Sequence, residues 1–371
     1  MILGVDTSTY LEELSVGNKF YFEGKEVDPL DRFVKNGVNY MRIRLWHNPY
    51  TLDGKPYGAG TCDYKNFIEL SKLAIKKGFK ILLDIHYSDF WVDPAKQVLP
   101  KAWMNHDFEQ LKKDVYEYTK ETLVNAKKDG VEVSMIQIGN EITNGLLWPY
   151  GKLLENPNGG VRLNYDKVCA FLNEGSKAVR EVCPNCEIVI HLERVYDTEV
   201  YLEYLTEVEK TNIDYDIIGA SYYPYWHHTL DDLYRTLNTC RNRFHKKVMV
   251  MELGYAFTLE DYVKGCNNHL VIREDTYNLY GMKKEYDFTP LGQKEFVEAF
   301  LKRAEEEKLD GIFFWEPLLI PGDGITWGTK EAQIYNAGVV IKEERSDWCN
   351  QCFADYNGNL LPAFDAYSLK K

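Results

Sequence analysis

The stretch "VSMIQIGNE", residues 133 to 141, changes from an apolar, β-like run to a polar Gly-Asn-Glu end. Similar runs recur along the chain, and helix-length stretches such as "YKNFIELSKLAIKKG" and "GQKEFVEAFLKRAEEEK" separate them. The apolar residues of these stretches recur at helical spacing. The eight runs are "ILGVD" (2–6), "YMRIRLW" (40–46), "KILLDIHY" (80–87), "VSMIQIGNE" (133–141), "EIVIHLE" (187–193), "DIIGASYYP" (216–224), "KVMVMELG" (247–254) and "GIFFWEP" (311–317).

Eight βα repeats predict an α/β fold, a single (β/α)8 TIM barrel with its strands buried on both faces. A doubly wound open sheet is the alternative, but "VDTSTYLEEL" lacks the Gly-rich phosphate loop that usually follows its first strand. No linker rich in Pro, Gly or Ser divides the chain, so we predict that residues 1–371 form one domain. Gly78, Gly130 and Gly311 are predicted at helix ends, and 256–290 is a long connection.

The charge and hydropathy of the chain exclude some classes of partner. A formal net charge of −13 and a pI near 5.2 argue against nucleic acid, whose binders usually carry a basic stripe. No apolar run reaches the roughly 20 residues of a membrane helix, so no membrane partner is predicted. Because "MILGVDTSTY" lacks the features of a signal peptide, either the protein is cytosolic or a leader is missing from this sequence.

The eight cysteines include two C-x-x-C pairs, "CPNC" (183–186) and "CNQC" (349–352). The two pairs lie too far apart in the chain for the usual zinc-ribbon spacing. Local disulfides or free thiols are therefore favoured over a shared zinc site.

The last residues of the eight runs are polar or aromatic at the same end of each strand, where a barrel of this kind builds its site. This regular change favours a functional site over a scaffold. The residues are Asp6, Arg44, Trp46, Asp84, His86, Tyr87, Asn140, Glu141, His191, Glu193, Tyr222, Tyr223, Glu252, Trp315 and Glu316.

Glu141 and Glu252 end the fourth and seventh runs, which lets them face each other across a bound ligand. Hydrolysis of a glycoside with retention needs two carboxyls about 5 to 5.5 Å apart, one as acid/base and one as nucleophile. We assign Glu141 as the acid/base and Glu252 as the nucleophile. A single Glu at a strand end more often caps a helix or pairs with a surface cation, but the pair in these two strands favours catalysis.

Neighbouring residues would tune the two carboxyls. Arg44 is expected to pair with Glu252 and hold it ionised, and Asn140 to bind the sugar hydroxyl next to the reacting carbon. His86 and His191 are expected to orient groups through hydrogen bonds, because a metal site would need further ligands. Glu193 and Glu316 are either structural or contact sugar.

Aromatic clusters follow several strand ends, in "HYSDFWVDP", "GLLWPYG", "SYYPYWHH" and "GITWG". Tyr and Trp rings stack on sugar faces, so four clusters together favour a platform around a cleft over simple loop cores. The predicted substrate-binding residues are Arg44, Trp46, His86, Asp89, Trp91, Asn140, Trp148, His191, Tyr222, Tyr223, Trp226 and Trp315.

The motifs "RLWHNPY", "LLDIHYSDFWVDPAKQ", "IQIGNEITNGLLWPYGK", "IIGASYYPYWHHTLDDL" and "FFWEP" resemble those of glycoside hydrolase family 53, the arabinogalactan endo-β-1,4-galactanases. The resemblance runs from about residue 3 to the C-terminal tail. It implies a retaining (β/α)8 hydrolase that attacks inside the β-1,4-galactan of pectin and releases short oligosaccharides. By the same resemblance, Glu141 matches the acid/base and Glu252 the nucleophile, and secretion is expected.

Three stretches depart from the family pattern. "MELGYAFT" has different residues around the nucleophile, and "HLERVYD" replaces a stretch rich in Asp, Asn and Gly, which affects Glu193 and Arg194. Some bacterial relatives bind calcium after the seventh strand, but "EDYVKGCNNH" lacks the dense acidic pattern, so calcium is not predicted. No cofactor is required, and the protein is expected to be a monomer.

Other functions keep part of this pattern. A β-mannanase or a cellulase would have the same two carboxylates, whereas a non-catalytic sugar-binding barrel would keep the aromatic residues and lose one carboxylate. A metal-dependent hydrolase would lose its activity on chelation.

Overall fold

The computed structural model describes residues 1–264, 270–277, 284–336, 341 and 344–370. Within these residues, eight parallel strands pair in chain order and close into a barrel, the last beside the first, which confirms the predicted (β/α)8 fold. All eight predicted runs form its strands. The strands are β1 (Ile2–Asp6), β2 (Tyr40–Leu45), β3 (Lys80–Ile85), β4 (Val133–Ile138), β5 (Glu187–Leu192), β6 (Ile217–Tyr222), β7 (Lys247–Leu253) and β8 (Gly311–Trp315).

Helices surround the barrel and connect successive strands. In the described ranges they are α1 (Tyr10–Ser15), α2 (Pro29–Lys35), α3 (Tyr64–Lys77), α4 (Phe108–Lys128), α5 (Tyr165–Val182), α6 (Thr198–Glu209), α7 (Leu230–Phe244) and α8 (Pro290–Glu306). A 3-10 helix, Pro362–Lys370, packs on α8 and α2 after the last strand. Among the described residues, none of the helices has both the length and the apolarity needed to cross a bilayer.

The ends of the helices follow local sequence signals. The Asp63 side chain accepts a hydrogen bond from the Asn66 amide at the start of α3, and Gly78 ends that helix with φ of 101°. Gly130, with φ of 79°, follows α4 as predicted. Gly311 is different, because it begins β8 instead of ending a helix.

The long connection predicted at 256–290 lies between β7 and α8. Of the stretch in which calcium was considered, "EDYVKGCNNH", residues 265–269 lie outside the described residues. The seven cysteines that the structure describes are free thiols, so neither C-x-x-C pair forms a disulfide.

Apolar side chains fill the lower part of the barrel and leave its carboxyl ends for polar groups. Two glycines make room for the largest of these side chains: a Cβ on Gly4 would lie 2.2 Å from the Phe313 ring, and one on Gly219 would lie 2.5 Å from Met251. The buried interior cluster is Tyr40, Leu82, Met135, Val189, Ile217, Met249, Met251 and Phe313. The packing beneath the site therefore depends on residues without a side chain at these two positions.

Replacing Gly4 with Ala should destabilise the barrel, since the new methyl group overlaps the Phe313 ring. We expect a loss of about 1–3 kcal/mol, typical of overpacking, measured by urea unfolding. The double variant Gly4→Ala/Phe313→Leu is the control and should recover part of the loss. Equal stability of Gly4→Ala and the parent protein would contradict this account of the interior.

Candidate active site

Charged side chains project into the barrel above the apolar interior. Successive residues of a strand face opposite sides, so Arg42 and Arg44 face the same side of β2 as Tyr40, which belongs to the interior cluster. The same alternation places Asp84, Gln137 and His191 two residues beyond the interior residues Leu82, Met135 and Val189. The carboxyl ends of the strands thus converge on one polar layer.

Arg42 is the centre of this layer and is fully buried. Its guanidinium lies 2.9 Å from Asp6 Oδ2, 2.9 Å from Asp84 Oδ2 and 3.0 Å from Glu252 Oε1. The prediction that Arg44 pairs with Glu252 is therefore wrong, because Arg42, two residues earlier on the same face of β2, makes that contact. Each of these three buried carboxylates thus has a cationic partner in Arg42, which buried charge requires.

Arg44 instead holds the other side of the layer. It pairs with Asp6 Oδ1 at 3.1 Å and with Glu316 Oε1 at 2.7 Å, and its guanidinium lies 4.4 Å from the centre of the Trp91 ring. Glu316 also accepts hydrogen bonds from the Thr9 amide and hydroxyl. Of the two roles considered for Glu316, this geometry supports the structural one.

Glu252 is a buried carboxylate with both oxygens engaged. Oε1 pairs with Arg42, and Oε2 accepts a 2.8 Å hydrogen bond from the Tyr223 hydroxyl. These two contacts fix the orientation of the carboxylate at the end of β7.

Glu141 lies opposite, and its backbone has a left-handed conformation with φ of 48°. One of its oxygens and one of Glu252 lie within 4.8 Å of each other. Its Oε1 is 2.6 Å from the Ser221 hydroxyl, which a register shift in the β6–β7 ladder brings to the site. An approach within 4.8 Å is compatible with the spacing of about 5–5.5 Å in retaining glycosidases and shorter than the wider spacing of inverting ones.

The two carboxyls differ in their electrostatic surroundings. Burial raises the pKa of both, but Arg42 and the Tyr223 hydroxyl oppose the rise at Glu252. At Glu141, the negative charge of Glu252 adds to the effect of burial and raises the pKa well above its usual range. Glu141 has no ion pair in the described part of the chain. When the two carboxyls hold one proton between them, that proton is therefore on Glu141.

The two carboxyls open into a cleft of about 280 Å³ with an aromatic wall. Trp91 and Trp327 stack with centroids 5.1 Å apart, and Trp315 meets Trp348 edge to face at 4.6 Å. Tyr223 and Trp226 continue the lining on the other side, with centroids 5.3 Å apart. Such a surface suits the apolar faces of sugar rings.

Most of the residues predicted from sequence line this cleft. They are Arg44, His86, Trp91, Asn140, Glu141, Tyr223, Trp226, Glu252 and Trp315.

Five predicted residues do not line the cleft. Trp46 lies fully buried and donates to His86, and the Asp89 carboxylate accepts from Lys101 and Tyr335 in loop packing. The ring of Trp148 lies against Lys152, the Tyr222 hydroxyl donates to the His228 carbonyl, and His191 lies behind Glu141. Their side chains support the site from behind or beside it: strand alternation turns Tyr222 outward, loop packing holds the three others, and His191 lies in the polar layer beneath Glu141.

Sequence reasoning missed three contributors. Arg42 was detectable, because an Arg in the middle of a buried strand, two residues before Arg44, needs carboxylate partners. Ser221 and Trp348 had no such signal: one is a small residue within a strand, and the other lies in an irregular segment near the C-terminus. Glu193 lines the cleft, and its buried Oε2 has no hydrogen-bond partner among the residues that the structure describes.

Glu141, His191 and Glu252 also place potential metal-binding atoms within 4.8 Å of one another. However, the two ring nitrogens of His191 lie 3.0 Å from Asn140 Oδ1 and 3.0 Å from Ser221 Oγ. These donor atoms already have protein partners, so the group has the character of a hydrogen-bonded site.

Comparison with known proteins finds relatives that are similar along nearly the whole chain. The endo-beta-1,4-galactanase of Bacillus subtilis (strain 168) is 35% identical, over 99% of this chain and 85% of its own length. The arabinogalactan endo-beta-1,4-galactanase of Cellvibrio japonicus is 30% identical, over 98% of this chain and 89% of its own length. The solved Ignisphaera aggregans GH53 catalytic domain superposes with a TM-score of 0.87 at 35% identity, covering 99% of this chain and 95% of that domain.

The model of one family, described as glycosyl hydrolase family 53, matches residues 2–367. The match covers the barrel from its first strand to the C-terminal 3-10 helix. The chain belongs to glycosyl hydrolase family 53.

Proposed function

We propose that this protein is an endo-β-1,4-galactanase that cleaves internal bonds of galactan, the side chain of type I arabinogalactan, with retention of configuration. The observation that carries the proposal is the pair Glu141 and Glu252, whose carboxyl oxygens lie within 4.8 Å of each other in an aromatic cleft. Membership of family 53 and the names of the relatives supply the substrate.

In the first step, Glu252 attacks the anomeric carbon while Glu141 gives its proton to the departing glycosidic oxygen. Arg42 and Tyr223 keep the Glu252 carboxylate ionised and aimed before attack. The bond to the leaving sugar breaks and a galactosyl ester forms on Glu252.

In the second step, Glu141 is a carboxylate and takes a proton from water. The water oxygen attacks the anomeric carbon, the ester bond to Glu252 breaks, and the product keeps the original configuration. The same carboxyl therefore acts first as acid and then as base.

We also propose that the reaction needs no metal. Both oxygens of Glu252 and both ring nitrogens of His191 have protein partners, so a cation would have to displace these hydrogen bonds. The chemistry of a carboxylate pair supplies the acid, the base and the nucleophile by itself.

Substrate choice is the direct test. The purified protein should release short galacto-oligosaccharides from linear β-1,4-galactan, equally well with and without a chelator, as measured by reducing ends and product size. β-Mannan and cellulose, incubated in parallel, are the controls. Cleavage of mannan or cellulose with galactan left intact would mean that the assigned substrate is wrong. Inactivity on all three would favour a sugar-binding protein.

Replacing either carboxyl should abolish turnover without unfolding the chain. We expect Glu141→Gln and Glu252→Gln each to lower kcat on galactan by at least about 100-fold, since proton transfer alone contributes about 10²- to 10⁴-fold. The exposed Glu155→Gln is the matched control and should retain parental activity. Parental turnover in either site variant would remove that residue from the mechanism.

The dependence of kcat/KM on pH should be bell-shaped. Activity is lost below the pKa of Glu252, because a protonated nucleophile cannot attack, and above the pKa of Glu141, because the acid has lost its proton. Burial raises both pKa values, and the raised pKa of Glu141 sets the alkaline limb. A flat profile between about pH 4 and 9 would contradict this assignment.

Arg42 should matter for stability as well as for activity. Arg42→Met leaves Asp6, Asp84 and Glu252 without their shared cation, and we expect a loss of about 3–5 kcal/mol in unfolding free energy. Arg42→Lys is the matched control, which keeps the charge but loses the planar fork. The Arg42→Lys variant should fold, and the acidic limb of its pH profile should move to higher pH. An unchanged acidic limb in a folded Arg42→Met variant would exclude this role.

A further inference from the structure

A chain of buried hydrogen bonds runs from Asn140 through His191 and Ser221 to Glu141. Asn140 Oδ1 lies 3.0 Å from His191 Nδ1, His191 Nε2 lies 3.0 Å from Ser221 Oγ, and Ser221 Oγ lies 2.6 Å from Glu141 Oε1. His191 and Ser221 are fully buried, and neither lies within the lining of the cleft. The direction of each hydrogen bond in the chain decides where its protons lie.

Asn140 fixes the direction at one end of the chain. Its Oδ1 is 2.9 Å from the Arg42 guanidinium, which only donates, and its Nδ2 is 3.0 Å from the Val92 carbonyl oxygen, which only accepts. Exchanging the two amide atoms would face donor with donor and acceptor with acceptor. Oδ1 is therefore the acceptor toward His191, whose Nδ1 must carry a hydrogen.

The other nitrogen of His191 is then an acceptor as long as the ring is neutral. Complete burial and the nearby positive charge of Arg42 lower the pKa of His191 well below its usual value, which keeps the ring neutral. Its Nε2 accepts the only hydrogen that the Ser221 hydroxyl has to give. The oxygen of Ser221 is thus left to accept a hydrogen bond from Glu141, and a carboxyl donates only when it is protonated.

We propose that His191 and Ser221 are positioning residues that hold Glu141 in its protonated form between catalytic cycles. The inference rests on the proposed function in assigning Glu141 as the general acid. It adds to that function a specific role for two residues behind the cleft.

The proton movements of the cycle balance with this role. In the first step the Glu141 O–H turns from Ser221 Oγ toward the cleft and gives its proton to the glycosidic oxygen, and the Ser221 hydroxyl turns from His191 Nε2 to the new carboxylate. His191 Nε2 is then buried without a donor, which disfavours the carboxylate form. When Glu141 takes a proton from the attacking water, the Ser221 hydroxyl turns back to His191.

The three carboxylates nearest to Glu141 act in the same direction. Glu252 in β7, Glu193 after β5 and Asp93 in the loop after β3 each raise the pKa of Glu141 by their negative charge, whereas a hydrogen bond that Ser221 donates lowers it. Lys96 lines the same cleft, and Arg42 reaches the pair only through Glu252. The acceptor at His191 is thus one of several contributions that raise the pKa of Glu141, and removing it leaves the others in place.

The tautomer of His191 is the first test, because it needs no substrate. In wild-type protein labelled with ¹⁵N-histidine, NMR at neutral pH should show His191 protonated at Nδ1 and unprotonated at Nε2. The signal is assigned by its absence from His191→Leu, or from His191→Gln if the first variant does not fold. A ring protonated at Nε2, alone or together with Nδ1, would overturn the proposal.

The pH profile of kcat/KM is the second test, and its sign separates the two possible directions of the chain. In His191→Leu the Ser221 hydroxyl is free to donate to Glu141, so the alkaline limb should move to lower pH by about half to one unit. If His191 instead donated to Ser221, the same variant would move this limb to higher pH. A shift to higher pH, or none, would overturn the proposal.

Ser221→Ala provides the matched background, since it cuts the connection between His191 and Glu141. Adding His191→Leu to Ser221→Ala should leave the alkaline limb in place, whereas a further shift would mean that His191 acts by another route. If galactan is not the substrate, the profile is recorded on the glycan that is cut. If no glycan is cut, the tautomer alone decides, so failure of the proposed function and failure of this inference give different results.

Discussion

Two buried guanidinium groups hold together the carboxyl end of the barrel. Arg42 and Arg44 share Asp6 between them; Arg42 also pairs with Asp84 and Glu252, and Arg44 also pairs with Glu316. Buried charges are stable only when they are paired, so this layer fixes the relative positions of β1, β2, β3, β7 and β8. The layer also contains more carboxylates than cations. Burial, together with the negative charge of Glu252, raises the pKa of Glu141 and keeps that carboxyl protonated.

The fold could be predicted from sequence because each strand is a short apolar run that ends in a polar group. The alternation within those runs also predicts which side chains point into the barrel, since it separates inward residues such as Arg42 from outward ones such as Tyr222. Loops are a different case. Trp348 reaches the cleft through an irregular segment with no hydrophobic period, and only the folded chain brings it to Trp315.

Both catalytic candidates were identified correctly as neighbours, yet their unequal chemistry comes from contacts that sequence does not reveal. Glu252 faces a cation and a phenol, whereas Glu141 faces a serine and other carboxylates. The partner of Glu252 was predicted as Arg44 because Arg44 is nearer to the strand end. In the barrel, the deeper Arg42 lies 3.0 Å from the carboxylate instead.

Part of the aromatic wall has a different origin from the groups that carry out the chemistry. Trp327 and Trp348 come from the segment that follows β8, while Glu141, Glu252 and their polar partners come from the strands themselves. Changes in that segment can therefore alter the length of polymer that the cleft binds without moving the reacting groups. In evolution, such a division allows the released products to diverge while the catalytic residues stay the same.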